Sequence, residues 1–270
     1  MRLRGVWLCG LGMALAVTVA CGGGGQETAK EAAAPATAAA PGQPNTGVDA
    51  AVAAEVKGHV SIEGTVPANA EIKMNADPVC ARQVNGAQTM ETYVVGTDGK
   101  SLGNVFVYVK DGLGNYVAPT PTEPIRIDQK DCRYHPHVFG IQVGQPLEII
   151  NSDPTLHNIH AVAKSNREFN NGQPIQGMKT THTFTAAEVM VPFKCDVHGW
   201  MNAFVGVLPH PFFGVTDATG SFSLKGLPAG TYTIEAWHEK LGTQTQSVTV
   251  AAKESKDLSF TFTAPAAATN

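Results

Sequence analysis

Hydrophobic and polar positions alternate with a period of two over several short runs of this chain. Successive side chains of a β-strand point to opposite faces, so this alternation is typical of strands that bury one face. Gly, Asp and Pro turns separate the runs, and no amphipathic helix of normal length stands out. The predicted strands include residues 59–62, 93–95, 105–109, 221–224, 232–236 and 247–250. The pattern predicts an all-β protein.

Two further strand-like runs are each followed by residues that can bind a metal. The first run comes before His157, and the second comes before a loop that holds Cys195, His198 and Met201. A thiolate, two imidazoles and a weak axial thioether are the ligands of a mononuclear blue-copper site. A tight loop between two strands can turn three ligands toward one centre, whereas His157 must come from a different strand. The four residues therefore predict a copper site that only a folded sandwich assembles.

The surrounding segments extend this pattern in both directions. They are Tyr134-x-Pro136, Ile141-x-Val143-Gly144, Asn151-x-Asp153, His157-Asn158, Thr183-Phe184 and the run 189–195. In this order they resemble the cupredoxin family of plastocyanin, azurin and amicyanin, over residues 125–208. The Cys-x2-His-x2-Met spacing is closest to amicyanin, with Gly199 where amicyanin has proline. The resemblance implies a Greek-key β-sandwich with one copper ion, in which Asn158 ties the His157 strand to the Cys195 loop.

The cupredoxin resemblance also implies a function, the transfer of single electrons between redox partners. His198 would be the exposed edge through which electrons pass, and Pro154, Leu156, Gly199 and Trp200 would form an apolar docking collar around it. The expected partner is a periplasmic dehydrogenase or a cytochrome c. Two alternatives stay open: a copper-binding or storage protein without a redox partner, and a surface scaffold or adhesion module that copper stabilises.

Several other classes of function are disfavoured. Multicopper oxidases need His-Cys-His, but Lys194 and Asp196 flank Cys195, and the binuclear copper centre of cytochrome oxidase needs two cysteines in this loop. No nucleophile–base pair or phosphate-binding glycine loop stands out. The chain has 19 basic and 23 acidic residues, without the basic footprint of a nucleic-acid-binding protein. We expect neither catalysis nor nucleic-acid binding.

A second resemblance lies outside the cupredoxin-like part. Residues 216–222 and 227–233 resemble carboxypeptidase regulatory-like (prealbumin-like) domains. The opening strands of such a domain match residues 58–60 and 101–107, far upstream. The resemblance implies a binding or structural role for this part, without catalysis.

The positions of the two resemblances suggest that one domain is nested in the other. Residues 56–124 and 209–263 would form one β-sandwich, and the cupredoxin of residues 125–208 would lie inside one of its loops. Such insertions are tolerated because domain termini often lie close together. The rival layout is an enlarged N-terminal cupredoxin followed by a separate C-terminal domain.

The N-terminal residues predict export. Two arginines precede an apolar run that is shorter than the ~20 residues a membrane span requires, so residues 1–20 are expected to be a signal peptide. The run ends in a sequence resembling a lipobox, which implies lipidation of Cys21, with ordinary cleavage as the alternative. Residues 21–55 have almost no large apolar side chains and are expected to be a disordered tether, and residues 264–270 form a tail. The expected location is the periplasm or cell surface.

The cysteines outside the signal peptide and the lipidation site have two expected roles. Cys195 is a copper ligand, and Cys80 and Cys132 form an even pair in an oxidising compartment, which predicts a disulfide. The alternative is a second metal site made of Cys132, His135 and His137.

The remaining histidines carry less information. His160, His182, His210 and His238 are scattered, and each is expected to be a surface or hydrogen-bonded residue. If the domains are nested, His210 and His238 lie near the join between them. A remote metal site there remains an alternative.

Overall fold

The structure is a computed structural model that describes residues 45–46 and 48–266. The expected signal peptide 1–20, the lipidation site Cys21, most of the tether and the end of the tail lie outside these residues. Among the helices of the described residues, none combines the length and apolar character that a membrane crossing requires.

The described residues form an all-β protein, as predicted. One 3-10 turn (Met74–Ala76) and one short helix, α1 (Pro78–Gln83), accompany the strands. The strands are β1 (Asn45–Thr46), β2 (Ala54–Glu63), β3 (Glu71–Ile72), β4 (Gln88–Thr89), β5 (Val94–Val95), β6 (Leu102–Gly103), β7 (Phe106–Asp111), β8 (Tyr116–Val117), β9 (Ile125–Lys130), β10 (Arg133–His135), β11 (Val138–Gln142), β12 (Pro146–Asn151), β13 (His157–Ala161), β14 (Phe169–Gln173), β15 (Lys179–Thr183), β16 (Glu188–Lys194), β17 (Asn202–Leu208), β18 (Phe213–Val215), β19 (Ser221–Leu227), β20 (Gly230–His238), β21 (Gly242–Val250) and β22 (Ser255–Thr263).

Strands from both ends of the described chain build one sandwich, which we name the outer sandwich. Its sheets are β19-β2-β22 and β18-β7-β20-β21. Strand β2 pairs antiparallel with β19 through residues 54–59 and parallel with β22 through residues 55–63. Alternate residues of β22, Leu258, Phe260 and Phe262, are buried in the core between the sheets. The alternation of hydrophobic and polar residues in β22 therefore matches the alternation of buried and exposed side chains.

The strands of residues 125–208 build a second sandwich, which we name the inner sandwich. Its sheets are β10-β9-β12-β15 and β11-β17-β16-β13-β14. Most of their pairings are antiparallel, but β12 runs parallel to β9 and β11 parallel to β17. The core between the sheets includes Leu147, Ile149, Phe184 and Phe193, all essentially inaccessible to solvent.

The order of the strands leads us to propose that the inner sandwich is inserted into the outer one. One boundary differs from the predicted domains, however. The predicted domains place residues 69–90 in the outer sandwich, but Ile72, Met74 and Cys80 are buried in the core of the inner one. The reason is that this segment has apolar side chains to bury and is joined to the inner sandwich by the Cys80–Cys132 disulfide.

Aromatic side chains fill the contact between the two sandwiches. Phe106 is fully buried there, and its ring lies 5.7 Å from that of Phe213. Two glycines allow this close approach, because an added Cβ would lie 2.3 Å from the Phe213 ring at Gly140 and 2.3 Å from the Phe106 ring at Gly206. Any larger side chain at either glycine would clash with these rings, which would have to move.

Candidate metal centre

The three strongest ligand candidates meet at one end of the inner sandwich. His157 begins β13, and Cys195 directly follows β16, its antiparallel neighbour. His198 lies in the loop from β16 to β17, which is closed by a hydrogen bond from the Cys195 amide to the Met201 carbonyl oxygen (3.1 Å). The strand pairing therefore carries His157 to the loop that holds the other two.

The ligand atoms of these residues converge in a buried centre. The Nδ1 atoms of His157 and His198 lie 2.9 Å apart, and Cys195 Sγ lies 3.8 Å from His198 Nδ1. All three ligand atoms lie within 4.8 Å of one another, and the three side chains are at most 2% exposed. The geometry joins the thiol and both imidazoles that the sequence predicted.

The centre favours the thiolate form of Cys195. Burial opposes ionisation of this thiol, but hydrogen bonds with His157 and His198 outweigh it and lower the pKa of Cys195 to about 5. The His198 amide also donates to Sγ (3.4 Å). Because the thiolate is the form that binds metals, the site holds its soft ligand ready at neutral pH.

A carboxylate lies at the outer nitrogen of each imidazole. His157 Nε2 is 2.9 Å from Asp153 Oδ2, and His198 Nε2 is 2.9 Å from Asp77 Oδ2. Burial raises the pKa of both carboxyl groups, but hydrogen bonds with the imidazoles and with backbone amides outweigh it and hold each pKa below its usual value. When Nε2 donates to a carboxylate, the lone pair of Nδ1 is turned toward the centre.

The donor set fits a copper ion. Two Nδ1 atoms that face each other at 2.9 Å need a proton or a cation between them. A thiolate beside them adds a soft ligand, which favours copper over harder metal ions. His157, Cys195 and His198 form a group able to hold this metal.

Asn158 joins the two halves of the centre. Its side-chain oxygen accepts a hydrogen bond from the Asp196 amide (2.8 Å) and lies 3.3 Å from Cys195 Sγ. Since Asn158 follows His157 on β13, these contacts link the His157 strand to the Cys195 loop.

Part of the chain matches a known family model. Residues 207–263 match the family model of the carboxypeptidase regulatory-like domain. This confirms the resemblance seen in residues 216–222 and 227–233. The match covers the part of the outer sandwich that follows β17. A comparison with curated proteins finds no match.

Solved copper proteins are among the structures similar to this chain. A methionine-to-alanine mutant of amicyanin in the Cu(I) state is 26% identical, with a TM-score of 0.28, over 31% of this chain and 81% of that one. A purple cupredoxin from Nitrosopumilus maritimus is 22% identical, with a TM-score of 0.27, over 30% of this chain and 97% of that one. A copper-containing nitrite reductase from Thermus scotoductus is 17% identical, with a TM-score of 0.31, over 57% of this chain and 28% of that one.

One prediction about the centre was wrong, because His198 is not an exposed edge. Only 2% of this residue is accessible to solvent. The start of α1 covers it, since Asp77 binds its Nε2 and Cys80 Sγ lies 3.6 Å from the same atom. The covering segment comes from residues 69–90, which lie outside the cupredoxin-like residues 125–208, so the resemblance carries no information about it.

The four predicted docking residues divide into two groups. Pro154, Leu156 and Gly199 are exposed, and 44% of Leu156 is accessible. Trp200 instead packs against the inner core, with its ring 5.0 Å from that of His198. Its Nε1 donates a hydrogen bond to the Cys132 carbonyl oxygen (2.9 Å), so Trp200 also supports the disulfide loop.

Met201 is buried, with 1% of its surface accessible, in the core of the inner sandwich. Its amide donates to the His198 carbonyl oxygen (2.9 Å), which holds it at the end of the ligand loop. Met201 thus lies next to the centre along the chain.

The Cys80–Cys132 disulfide is present, as predicted. The alternative of a metal site at Cys132, His135 and His137 fails, because Cys132 is bonded to Cys80 and His137 pairs with Glu239 (2.7 Å).

The residue that sequence reasoning missed is Asp77. The pair Asp77-Pro78 is a signal for a helix start, with an aspartate N-cap followed by proline at the first helical position. Nothing in that signal indicates a bond to His198.

Proposed function

We propose that this protein is an exported blue (type 1) copper protein that carries single electrons between redox partners and has no catalytic activity of its own. The observation that carries the proposal is the convergence of His157 Nδ1, His198 Nδ1 and Cys195 Sγ in one buried centre. The carboxylates at both outer nitrogens support it, because they orient each imidazole toward a shared ion.

Four residues would hold one copper ion. His157, Cys195 and His198 would supply the equatorial ligands, and Met201 the weak axial one. Copper, when bound, supplies a reversible one-electron couple. The protein's part is to hold the ligands in one arrangement for both oxidation states. The closed loop, the bond from the Asp196 amide to Asn158 and the buried packing support such rigidity.

The location and partners are also part of the proposal. A signal peptide, lipidation of Cys21 and a flexible tether would anchor the folded part to a membrane and let it reach a partner. The partner would be a redox protein such as a periplasmic dehydrogenase or a cytochrome c. Exposure of Pro154, Leu156 and Gly199 next to the ligand residues supports docking at this end of the inner sandwich.

Titration of the purified protein with Cu(II), followed by visible absorption, tests the proposal. We expect an intense thiolate-to-copper charge-transfer band that saturates at one equivalent. Cys195→Ala should abolish the band, because it removes the only thiolate of the centre. His160→Ala is the matched control, since His160 is a neighbouring histidine that pairs with Glu168 and Asp196 instead. Absence of the band in the wild type, or its persistence in Cys195→Ala, would overturn the proposal.

A further inference from the structure

We propose that Asp77 is a positioning residue of the metal centre, which holds His198 in its ligating orientation and favours the oxidised state of the bound copper. The inference rests on the proposed function. Asp77 lies outside the strands of the inner sandwich, 121 residues before His198 in the chain. The centre would therefore be completed by a segment from outside the sandwich that carries the ligands.

The hydrogen bonds of Asp77 fix its carboxylate in one orientation. Oδ1 accepts from the Val79 amide (2.7 Å) and the Cys80 amide (3.3 Å), which caps α1. Oδ2 accepts from His198 Nε2 (2.9 Å) and from Thr155 Oγ1 (3.3 Å). One carboxylate oxygen thus caps the helix, and the other accepts a hydrogen bond from the candidate ligand His198.

The disulfide keeps Asp77 at this place. Cys80 lies three residues after Asp77 in α1, and its bond to Cys132 ties the helix to the inner sandwich. Trp200 adds a second connection, because it donates to the Cys132 carbonyl oxygen and packs against the His198 ring. The carboxylate is therefore preorganised and does not have to be ordered when a metal binds.

The carboxylate acts on the metal through the imidazole. A charge-assisted hydrogen bond at Nε2 raises the basicity of Nδ1 and fixes the tautomer and ring orientation. The Asp77 side chain is 20% exposed and His198 only 2%, so water screens this charge only in part. A more basic ligand beside a negative charge stabilises Cu(II) more than Cu(I), which lowers the reduction potential of the centre.

Three variants of the full protein separate these effects. Asp77→Asn keeps a good N-cap residue but removes the charge. Asp77→Ser also keeps a cap for α1 but is too short to reach His198 in the same way. Asp196→Asn is the matched control, because Asp196 is a carboxylate next to Cys195 that bonds His160 and Asn170 and neither candidate imidazole.

The measurements are the affinities for Cu(II) and Cu(I) and the reduction potential. Loss of an outer-shell partner typically weakens metal binding by about 10–100-fold, and we expect such a loss for Cu(II) in Asp77→Asn and Asp77→Ser. If Cu(I) binding weakens tenfold less than Cu(II) binding, the potential rises by about 59 mV. Asp196→Asn should produce a clearly smaller rise, since the Asp196 carboxylate contacts neither candidate imidazole.

The outcomes separate the inference from the proposed function. A charge-transfer band in the wild type, with both Asp77 variants shifted no more than Asp196→Asn, would leave the copper carrier in place and overturn the role of Asp77. Equal loss of Cu(I) and Cu(II) affinity in the variants would overturn the preference for the oxidised state. No band in the wild type would overturn the proposed function itself.

Discussion

The inner and outer sandwiches each bury a pair of histidines, in opposite ways. In the inner sandwich, His157 and His198 face carboxylates through Nε2 and Cys195 at the centre. Burial lowers the pKa of both imidazoles, but hydrogen bonds with Cys195 and with the carboxylates outweigh it and raise the pKa. In the outer sandwich, His210 and His238 accept hydrogen bonds from backbone amides through Nδ1. Burial lowers the pKa of each to about 4.

The difference shows how surroundings decide what a buried histidine does. A buried charge is costly unless it is paired, so an isolated imidazole stays neutral and serves as a structural acceptor. Where carboxylates and a thiol surround the ring, the same side chain becomes part of a charged cluster that suits a metal ion. The inner sandwich carries the candidate chemistry, and the outer one uses its histidines for structure.

Core truncations test whether the two sandwiches are separate in function. Phe193→Ala in the inner core and Phe260→Ala in the outer core should each lower the free energy of unfolding by about 3–5 kcal/mol, because both rings are buried. Only Phe193→Ala should weaken Cu(II) binding, since Phe193 lies two residues before Cys195. Denaturant unfolding and copper titration of both variants check this. An equal loss of affinity in Phe260→Ala would show that the outer sandwich shapes the centre.

The disulfide should contribute stability to the inner sandwich. The bond spans 52 residues, for which chain entropy predicts a loss of about 4 kcal/mol in Cys80→Ala/Cys132→Ala. Urea unfolding without and with a thiol reductant measures this. The reductant should destabilise the wild type and leave the double variant unchanged. A double variant as stable as the oxidised wild type would contradict the prediction.

Acid should weaken the outer sandwich through its buried histidines. The pKa of about 4 for His210 lies below its unfolded value of ~6.5, so the unfolded chain binds more protons. The contribution of the neutral His210 imidazole to the free energy of unfolding is complete above about pH 6.5 and is lost as the pH falls toward 4. Between pH 7 and pH 4.5 this amounts to about 2 kcal/mol.

His210→Gln should remove that part of the pH dependence of the unfolding free energy, measured by urea unfolding at both pH values. The exposed His135, changed to Gln, is the matched control. A pH dependence in His210→Gln equal to that of the wild type would show that this residue adds nothing to acid sensitivity.

The smallest expected effect concerns the predicted docking collar. Trp200→Phe removes the hydrogen bond to the Cys132 carbonyl oxygen and should lower the unfolding free energy by about 1 kcal/mol. Leu156→Ser, at an exposed position, should change it by less than about 0.5 kcal/mol. Thermal or denaturant unfolding distinguishes the two. Equal effects would mean that Trp200 belongs to the surface with Leu156.

Much of the site could be predicted because its signals are local. Cys195, His198 and Met201 lie in one short loop, and the alternation of β22 and of other strands follows directly from the geometry of a strand that buries one face. The even pair of remaining cysteines predicted the disulfide. These inferences need only the spacing of residues along the chain.

The tertiary structure decided the rest, because it depends on contacts between distant segments. The pairing of β2 with β22 joins residues about 200 positions apart, and the bond from His198 to Asp77 joins residues 121 positions apart. No local spacing encodes such contacts, since they depend on where an entire segment packs. The sequence by itself therefore determined the strands and the ligand loop, whereas only the folded chain decided that a helix start from outside the inner sandwich covers His198.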